Sequence, residues 1–192
     1  MSRAEQVSWD EHFRAGDHAG REPDPFLLRL EDYKNLFPAG RSALDVACGA
    51  GRHAVWLAEN GWNVTACDVS LEGLRRARAL ATERGVRLSL YCQDLETASL
   101  PANHFHLIVC FFYLQRELFS SLKAALRPGG LVVYKTYTTD GQGSPSHPSH
   151  PSHPLHLLRP QELLHAFGGF RVLCYEETVQ GRGLARLIAQ KP

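Results

Sequence analysis

The sequence predicts an α/β fold built around one largely parallel sheet. From residue 42 onward, short apolar runs alternate with longer amphipathic stretches, the pattern of strands and helices wound into such a sheet. The run at 105–111 is nearly all apolar, as expected of a central strand covered on both faces. Only residues 177–183 separate the last two runs, too few for the crossover between parallel strands, so the sheet should end in an antiparallel pair.

Local signals set the boundaries of the elements. Asn60-Gly61 ends the first helix of this region, Ser70 can cap the next, and Arg127-Pro128-Gly129-Gly130 is typical of a turn. Helices are predicted over residues 52–59, after Ser70, over 116–126 and from 159 to about 167. Strands are predicted over residues 42–47, 63–68, 86–92, 105–111, 131–137, 170–176 and 184–190. Together they predict a Rossmann-like, mostly parallel seven-stranded sheet with an antiparallel final strand and helices on both faces.

Length and composition are those of one domain with an appended arm: 192 residues, 44% of them hydrophobic. We divide the chain into an N-terminal arm, residues 1–38, and a domain, residues 39–192. The formal charge of +1 favours a small-molecule partner over nucleic acid or an anionic membrane. The polar start and the lack of a long apolar run lead us to expect a cytoplasmic protein. The five cysteines stand singly, which predicts buried thiols.

A histidine-proline stretch lies within the domain. Histidines recur at every third position from 147 to 156. A polyproline helix would align them but hold neighbours roughly 9 Å apart, too far to share one metal ion. We therefore expect a flexible loop over residues 143–157 and no metal site.

A glycine-bearing loop follows the first predicted strand. Asp45-Val46-Ala47-Cys48-Gly49-Ala50-Gly51 lies at the switch point where open α/β sheets bind ligands, and Gly49 and Gly51 permit a close approach of ligand to backbone. Read as Gly49-x-Gly51-x-x-Ala54, the loop also fits a dinucleotide-binding fingerprint. The glycines alone therefore leave the choice between NAD and S-adenosylmethionine (SAM) open.

Three carboxylates narrow that choice. Asp68 ends the second strand, 19 residues after Gly49, where it can accept hydrogen bonds from ribose hydroxyls. Asp45 would repel a pyrophosphate but suits the ammonium and sulfonium groups of SAM. Asp94, after the third strand, can accept from an adenine amino group. Three acidic residues at the ends of consecutive strands favour a binding site over three unrelated turns.

The sequence resembles the class I SAM-dependent methyltransferases, and among them the small tellurite-resistance-type proteins. The resemblance rests on the glycine loop, Asp68, Gln93-Asp94-Leu95, the Leu-Arg-Pro-Gly-Gly at 126–130, Tyr175-Glu176-Glu177 and the arm at 9–27. Ala47 stands where these families usually have a loop glycine, so we expect it to avoid a conformation that only glycine tolerates. The cofactor-binding residues implied by the resemblance are Asp45, Ala47, Cys48, Gly49, Gly51, Asp68, Val69, Asp94, Leu95 and Phe111.

The chemistry implied by the resemblance is methyl transfer to a small acceptor. A sulfonium methyl is already activated, so the enzyme must align the acceptor and exclude water, and no acid or base is obligatory. The arm, anchored by aromatic side chains at 9, 13 and 26, is expected to act as a lid. The family implies a metalloid oxyanion, such as tellurite or selenite, or a small thiol or amine. Residues considered for the acceptor side are Arg14, His18, Tyr113, Arg116 and Tyr137.

Two alternatives stay open. A non-catalytic SAM-binding protein would need nearly the same residues as an enzyme. An NAD-dependent oxidoreductase is disfavoured by Asp45, by the antiparallel final strand and by the short chain, which leaves little room for a substrate domain.

Overall fold

The computed structural model describes residues 3–17, 20–97, 99–140 and 156–192. Six α-helices are present in these ranges: α1 (Arg3–Ala15), α2 (Pro25–Leu28), α3 (Arg52–Glu59), α4 (Leu71–Glu83), α5 (Leu118–Ala125) and α6 (Glu162–Ala166). A 3₁₀ segment, Arg29–Leu36, continues α2. The strands are β1 (Ser42–Val46), β2 (Asn63–Asp68), β3 (Leu88–Cys92), β4 (Phe105–Phe111), β5 (Leu126–Tyr137), β6 (Arg171–Thr178) and β7 (Leu184–Gln190).

The strands form one seven-stranded sheet in the order β3-β2-β1-β4-β5-β7-β6. Neighbours from β3 to β5 pair in parallel, whereas β7 pairs antiparallel with both β5 and β6. This confirms the predicted mostly parallel sheet, its antiparallel end and the central place of β4. In this order β1 and β4 are adjacent although β2 and β3 lie between them in sequence, and such a reversal opens a crevice at the carboxyl ends of the strands.

Helices cover both faces of the sheet, as predicted. One face packs against α5 and α6 through residues such as Leu122 and Phe167, and the other packs against α3 and α4 through Leu57 and Leu74. The side chain of Tyr134 in β5 is fully buried. The strands between these layers are continuous apolar runs because both of their faces meet helices.

Several predicted boundaries were wrong. The Arg-Pro-Gly-Gly at 127–130 is not a turn ahead of the strand: β5 already begins at Leu126 and carries these residues as an irregularity, since Phe105 pairs with Leu126 but Leu107 pairs with Leu131. Gly129 there has a φ of 75°, which glycine adopts readily. Helix α5 is shorter than predicted at both ends, and α6 begins only at Glu162.

The N-terminal region divides into two parts. Residues of α2 and the 3₁₀ segment belong to the core, since Leu27 and Leu30 are 0% and 1% exposed. Asp24, which caps α2, also accepts two hydrogen bonds from Lys135 Nζ, at 2.9 and 2.7 Å, and thereby joins this segment to β5. Helix α1 instead packs on α4. The features expected of a lid are therefore confined to α1.

Two further expectations concern surface properties. Four of the five cysteines are buried, but Cys92 is exposed because it ends the edge strand β3. Within the described ranges, no helix combines the length and apolarity needed to span a membrane. Most of the histidine-proline loop predicted over 143–157 lies outside the described residues.

Candidate functional site

A cavity of about 310 Å³ opens at the carboxyl edge of the sheet, beside the β1-β4 switch point. Its volume lies at the lower end of the range for small-molecule sites. Loops after β1, β2 and β4, the end of β5 and the N-terminal region contribute to its walls. The lining residues are Trp9, Phe13, Gly20, Ala47, Cys48, Gly49, Ala50, Arg52, His53, Asp68, Val69, Leu95, Phe111, Phe112, Tyr113 and Tyr137.

The loop between β1 and α3 forms the floor of the cavity in a left-handed backbone conformation. Ala47, Gly49 and Gly51 have φ values of 54°, 54° and 79°. Ala47 therefore takes a conformation that glycine favours but that other residues also adopt at a cost, as Asn103 does with a φ of 48°. A left-handed L-residue costs about 1 to 2 kcal/mol, and such strained positions cluster at binding sites.

The two loop glycines have different roles. A Cβ on Gly49 would lie 3.2 Å from the Cζ of Phe13, so the bare backbone lets the ring of α1 rest on the loop. A Cβ on Gly51 would lie 2.6 Å from the Cβ of Ala77 in α4. Gly51 therefore permits α3 and α4 to pack closely, and it does not line the cavity although the sequence predicted a cofactor role.

Asp68 links the two loops that meet in the cavity. Its Oδ2 accepts from the backbone N–H of Gly49 at 2.8 Å, and its Oδ1 accepts from the N–H of Ser70 at 2.8 Å. The side chain is buried, and this burial raises the pKa of the carboxyl above its usual value. A carboxylate here can exchange its backbone donors for ligand hydroxyls, so the position predicted from the sequence suits polyol recognition.

Asp45 lies behind the loop rather than in the cavity wall. Its side chain is 1% exposed, and its Oδ2 has no hydrogen-bond partner among the described residues. Burial, reinforced by the charge of Asp68, raises the pKa of Asp45 to about 8. At neutral pH the Asp45 carboxyl of the ligand-free protein is therefore largely protonated, and it does not carry the permanent negative charge expected from the sequence.

The remaining cofactor candidates divide between the cavity and its surroundings. Ala47, Cys48, Val69, Leu95 and Phe111 line it, as Gly49 and Asp68 do. Asp94 does not line it in this structure. Its Oδ1 accepts from the N–H of Glu96 at 2.9 Å, as in an aspartate-initiated turn.

Of the residues considered for the acceptor side, some line the cavity and others do not. Tyr113 and Tyr137 line the cavity, and the Tyr113 hydroxyl donates to Gln115 Oε1 at 2.7 Å. Burial raises the pKa of Tyr113 well above its usual value, so its phenol stays protonated.

Arg116 and Arg14 do not line the cavity. Arg116 forms an ion pair with Glu162, with 2.6 Å between Nε and Oε1. Arg14 is 58% exposed and lies 3.8 Å from Asp10. His18 lies outside the described residues.

Helix α1 is attached to the loop that carries Asp68. Asp10 accepts hydrogen bonds from the Ser70 hydroxyl at 2.6 Å and from the N–H of Glu72 at 3.0 Å, and so contributes to the cap of α4. Gln6 donates to the carbonyl of Val69 at 3.0 Å. These contacts place Trp9 and Phe13 over the cavity.

Sequence reasoning missed several lining residues. Trp9 and Phe13 were expected on a lid, but Gly20, Ala50, Arg52, His53 and Phe112 were not assigned to the site. Arg52 and His53 had a usable signal, since they form the first turn of the helix that follows the glycine loop. Phe112 has none in sequence: its φ of 58° arises where its N–H donates to the carbonyl of Lys135.

Comparison with known families now adds to the geometry. Residues 43–130 match the model of a methyltransferase domain. This match covers a little under half of the 192-residue chain. The matched segment runs from β1 into β5 and contains the glycine loop, Asp68 and the acidic turn after β3.

Curated relatives of this chain include ubiquinone biosynthesis O-methyltransferases. The protein of that name from Coxiella burnetii is 29% identical over 102 residues, which cover 50% of this chain and 44% of the relative. The one from Vibrio parahaemolyticus is 33% identical over 113 residues, covering 56% and 47%. The match thus spans less than half the length of each relative.

Solved structures share the fold over most of this chain. TehB from Haemophilus influenzae superposes with a TM-score of 0.74 at 17% identity, covering 95% of this chain and 67% of its own. An S-adenosylmethionine-dependent methyltransferase from Mesorhizobium loti gives 0.66 at 20% identity, covering 85% and 97%. The chain therefore shares the fold of these two solved structures.

Proposed function

We propose that the protein transfers the methyl group of SAM to a small acceptor bound in the cavity. The observation that carries the proposal is the buried Asp68 carboxylate, which bridges to Gly49 at the floor of the cavity. A diol-binding acid beside a glycine loop at the switch point is the arrangement that a nucleoside cofactor requires. The match of residues 43–130 to a methyltransferase domain supports the same assignment.

The residues present fit the three parts of SAM. Asp68 would accept from the ribose hydroxyls, and Val69 and Leu95 would supply apolar surface for the base. Arg52 is the only arginine or lysine among the described lining residues, and it would bind the carboxylate of the methionine part. The Oδ2 of Asp45, which has no hydrogen-bond partner among the described residues, would supply a negative charge to the ammonium or sulfonium group if Asp45 ionised on binding.

The protein's part in the reaction is then to bind, orient and shield. SAM supplies a methyl group already activated by its sulfonium. Trp9 and Phe13 cover the cavity and exclude water, and Tyr113 and Tyr137 border the space where an acceptor would lie. Tyr113 remains a hydrogen-bond donor because its raised pKa keeps the phenol protonated.

The acceptor class is part of the proposal. A metalloid oxyanion, a thiol or an amine follows from the resemblance to the tellurite-resistance type. The relatives from C. burnetii and V. parahaemolyticus are named for O-methylation in ubiquinone biosynthesis, which supports an oxygen nucleophile. We place a small oxygen-bearing acceptor first.

Calorimetric titration with S-adenosylhomocysteine tests the cofactor site. Wild-type protein should bind it, and Asp68→Asn should weaken binding about 10- to 100-fold, because two charge-assisted hydrogen bonds are lost. Asp32→Asn is the matched control, since Asp32 is exposed and does not line the cavity. Binding of NAD in place of the nucleoside, or full affinity in Asp68→Asn, would refute the assignment.

A turnover assay separates an enzyme from a SAM-binding protein. The protein with SAM and a panel of phenols, thiols, amines and oxyanions should release S-adenosylhomocysteine with at least one acceptor. Tight binding without release on any member would favour the non-catalytic alternative.

A further inference from the structure

The imidazole of His53 is an unexplained polar group in the cavity wall. His53 is 4% exposed, and its Nε2 is one of two buried side-chain N or O atoms without a hydrogen-bond partner among the described residues. Buried polar atoms are nearly always paired, so an unpaired one that lines a cavity points to a ligand. Burial, together with the positive charges of Arg52 and Lys135, lowers the pKa of His53 to about 3. The ring is therefore neutral and suits an uncharged partner.

Aromatic rings surround this imidazole. Phe111 lies against it, with 4.2 Å between the ring centroids and 33° between the planes. Phe112 and Tyr137 face each other with centroids 5.2 Å apart, and both line the cavity. The left-handed backbone of Phe112 presents its ring at this wall at a cost in strain. Walls of this kind accept a flat apolar ring better than a hydrated ion.

The charges nearby argue against an anionic acceptor. Lys135, which lies near Phe112, is 8% exposed and donates hydrogen bonds to both carboxylate oxygens of Asp24. Its Nζ lies 5.2 Å from the centre of the Phe112 ring, behind the wall. Arg52 is taken by the carboxylate in the cofactor arrangement proposed above. Arg182 Nη1 lies 3.5 Å from the Tyr137 hydroxyl, but among the described residues Arg52 is the only arginine or lysine that lines the cavity, so an oxyanion beside His53 would lack a second lining cation.

We infer that His53, Phe111, Phe112 and Tyr137 form the acceptor subsite, and that its ligand is an uncharged aromatic molecule whose ring hydroxyl hydrogen bonds to His53 Nε2. The inference rests on the proposed function, since it assigns Asp68 and Arg52 to the cofactor. His53 accepts the hydrogen bond of the hydroxyl and holds it in place. The proton that the oxygen loses on methylation passes to solvent, because the imidazole binds a proton weakly.

Calorimetry on protein saturated with S-adenosylhomocysteine tests the subsite with three probes: catechol, its dimethyl ether and sodium tellurite. Catechol should bind wild type more tightly than tellurite does. The His53→Leu substitution should lower the affinity for catechol at least tenfold and leave the affinity for the ether unchanged. His53→Gln should stay within about threefold of wild type, because an amide still pairs with the hydroxyl.

A second measurement needs no variant. With ¹⁵N-labelled histidine, the Nε2 resonance of His53 in wild type should move on addition of catechol and stay in place with the ether. The inference is overturned if that resonance does not shift on addition of catechol, or if no aromatic probe binds. It is also overturned if tellurite binds more tightly than catechol, or if His53→Leu lowers the affinity for S-adenosylhomocysteine and not that for catechol. Failure of wild type to bind S-adenosylhomocysteine would be the distinct result that removes the proposed function itself.

Discussion

Replacement of Asp45 by asparagine tests the electrostatics of the loop most directly. The folded protein raises the pKa of this carboxyl from 3.8 to about 8, mainly by burial. Above pH 4 the unfolded chain loses the proton while the folded chain keeps it, so the folded state binds more protons. Stability therefore falls as the pH rises from about 4 to about 8. Asparagine has the shape of the protonated acid, can still accept from the N–H of Ala54, and does not titrate.

The magnitude follows from the width of this window. Each pH unit within it is worth about 1.4 kcal/mol, so wild type should lose about 3 kcal/mol relative to Asp45→Asn between pH 5 and pH 7. Urea unfolding of both proteins at both pH values measures this difference, and the subtraction cancels every other titrating group. Asp32→Asn, at an exposed position, serves as control and should show no such change.

An equal stability difference at the two pH values would refute the reasoning. Asp45 would then be ionised in the folded protein at pH 5, and the loop would carry a permanent negative charge before any cofactor binds. The opposite sign, with wild type gaining on the variant as the pH rises, would mean that a cation pairs with the carboxylate in the folded state.

Three further predictions concern the strained loop, the lid and the buried ion pair. Ala47→Gly should raise the free energy of unfolding by about 1 kcal/mol in urea, since a φ of 54° strains alanine, and a loss of stability would contradict this. Phe13→Ala should speed proteolytic cleavage within residues 3–17 and leave residues 39–192 intact, because the Phe13 ring packs on Gly49. An unchanged cleavage rate would show that other contacts hold α1. Lys135→Met should lower the free energy of unfolding by about 3 kcal/mol, because it leaves the buried Asp24 carboxylate without its cation. The exposed Lys34→Met should change this free energy by almost nothing, and equal losses in the two variants would contradict the pairing.

The parallel core of the fold was predictable because each signal was local. An apolar run covered on both faces predicts β4, and the short link before Leu184 forces the antiparallel pair. The glycine loop and Asp68 were equally readable, since both stand at the end of a strand beside the switch point. A parallel sheet brings such strand ends together regardless of how the helices pack on its faces.

The positions of side chains relative to the cavity depend on tertiary packing and could not be predicted from the sequence. Asp45 and Asp68 both stand near strand ends, but only a structure tells that one side chain lies behind the loop and the other lines the cavity. The sequence predicted that Gly51 binds the cofactor, whereas the structure shows that it lies in close contact with Ala77. The acceptor wall around Phe112 rests on a backbone conformation that its residue type disfavours.

The place of β7 has a consequence for synthesis on the ribosome. β6 precedes β7 in the chain but lies outside it in the sheet, so β7 must be inserted between two strands made earlier. Until residues 184–190 emerge, β5 has an open edge and β6 has no neighbour to pair with. A nascent chain stalled before Leu184 should therefore present the unpaired edges of β5 and β6 to chaperones, whereas a chain in which residues 184–190 have emerged can close the sheet.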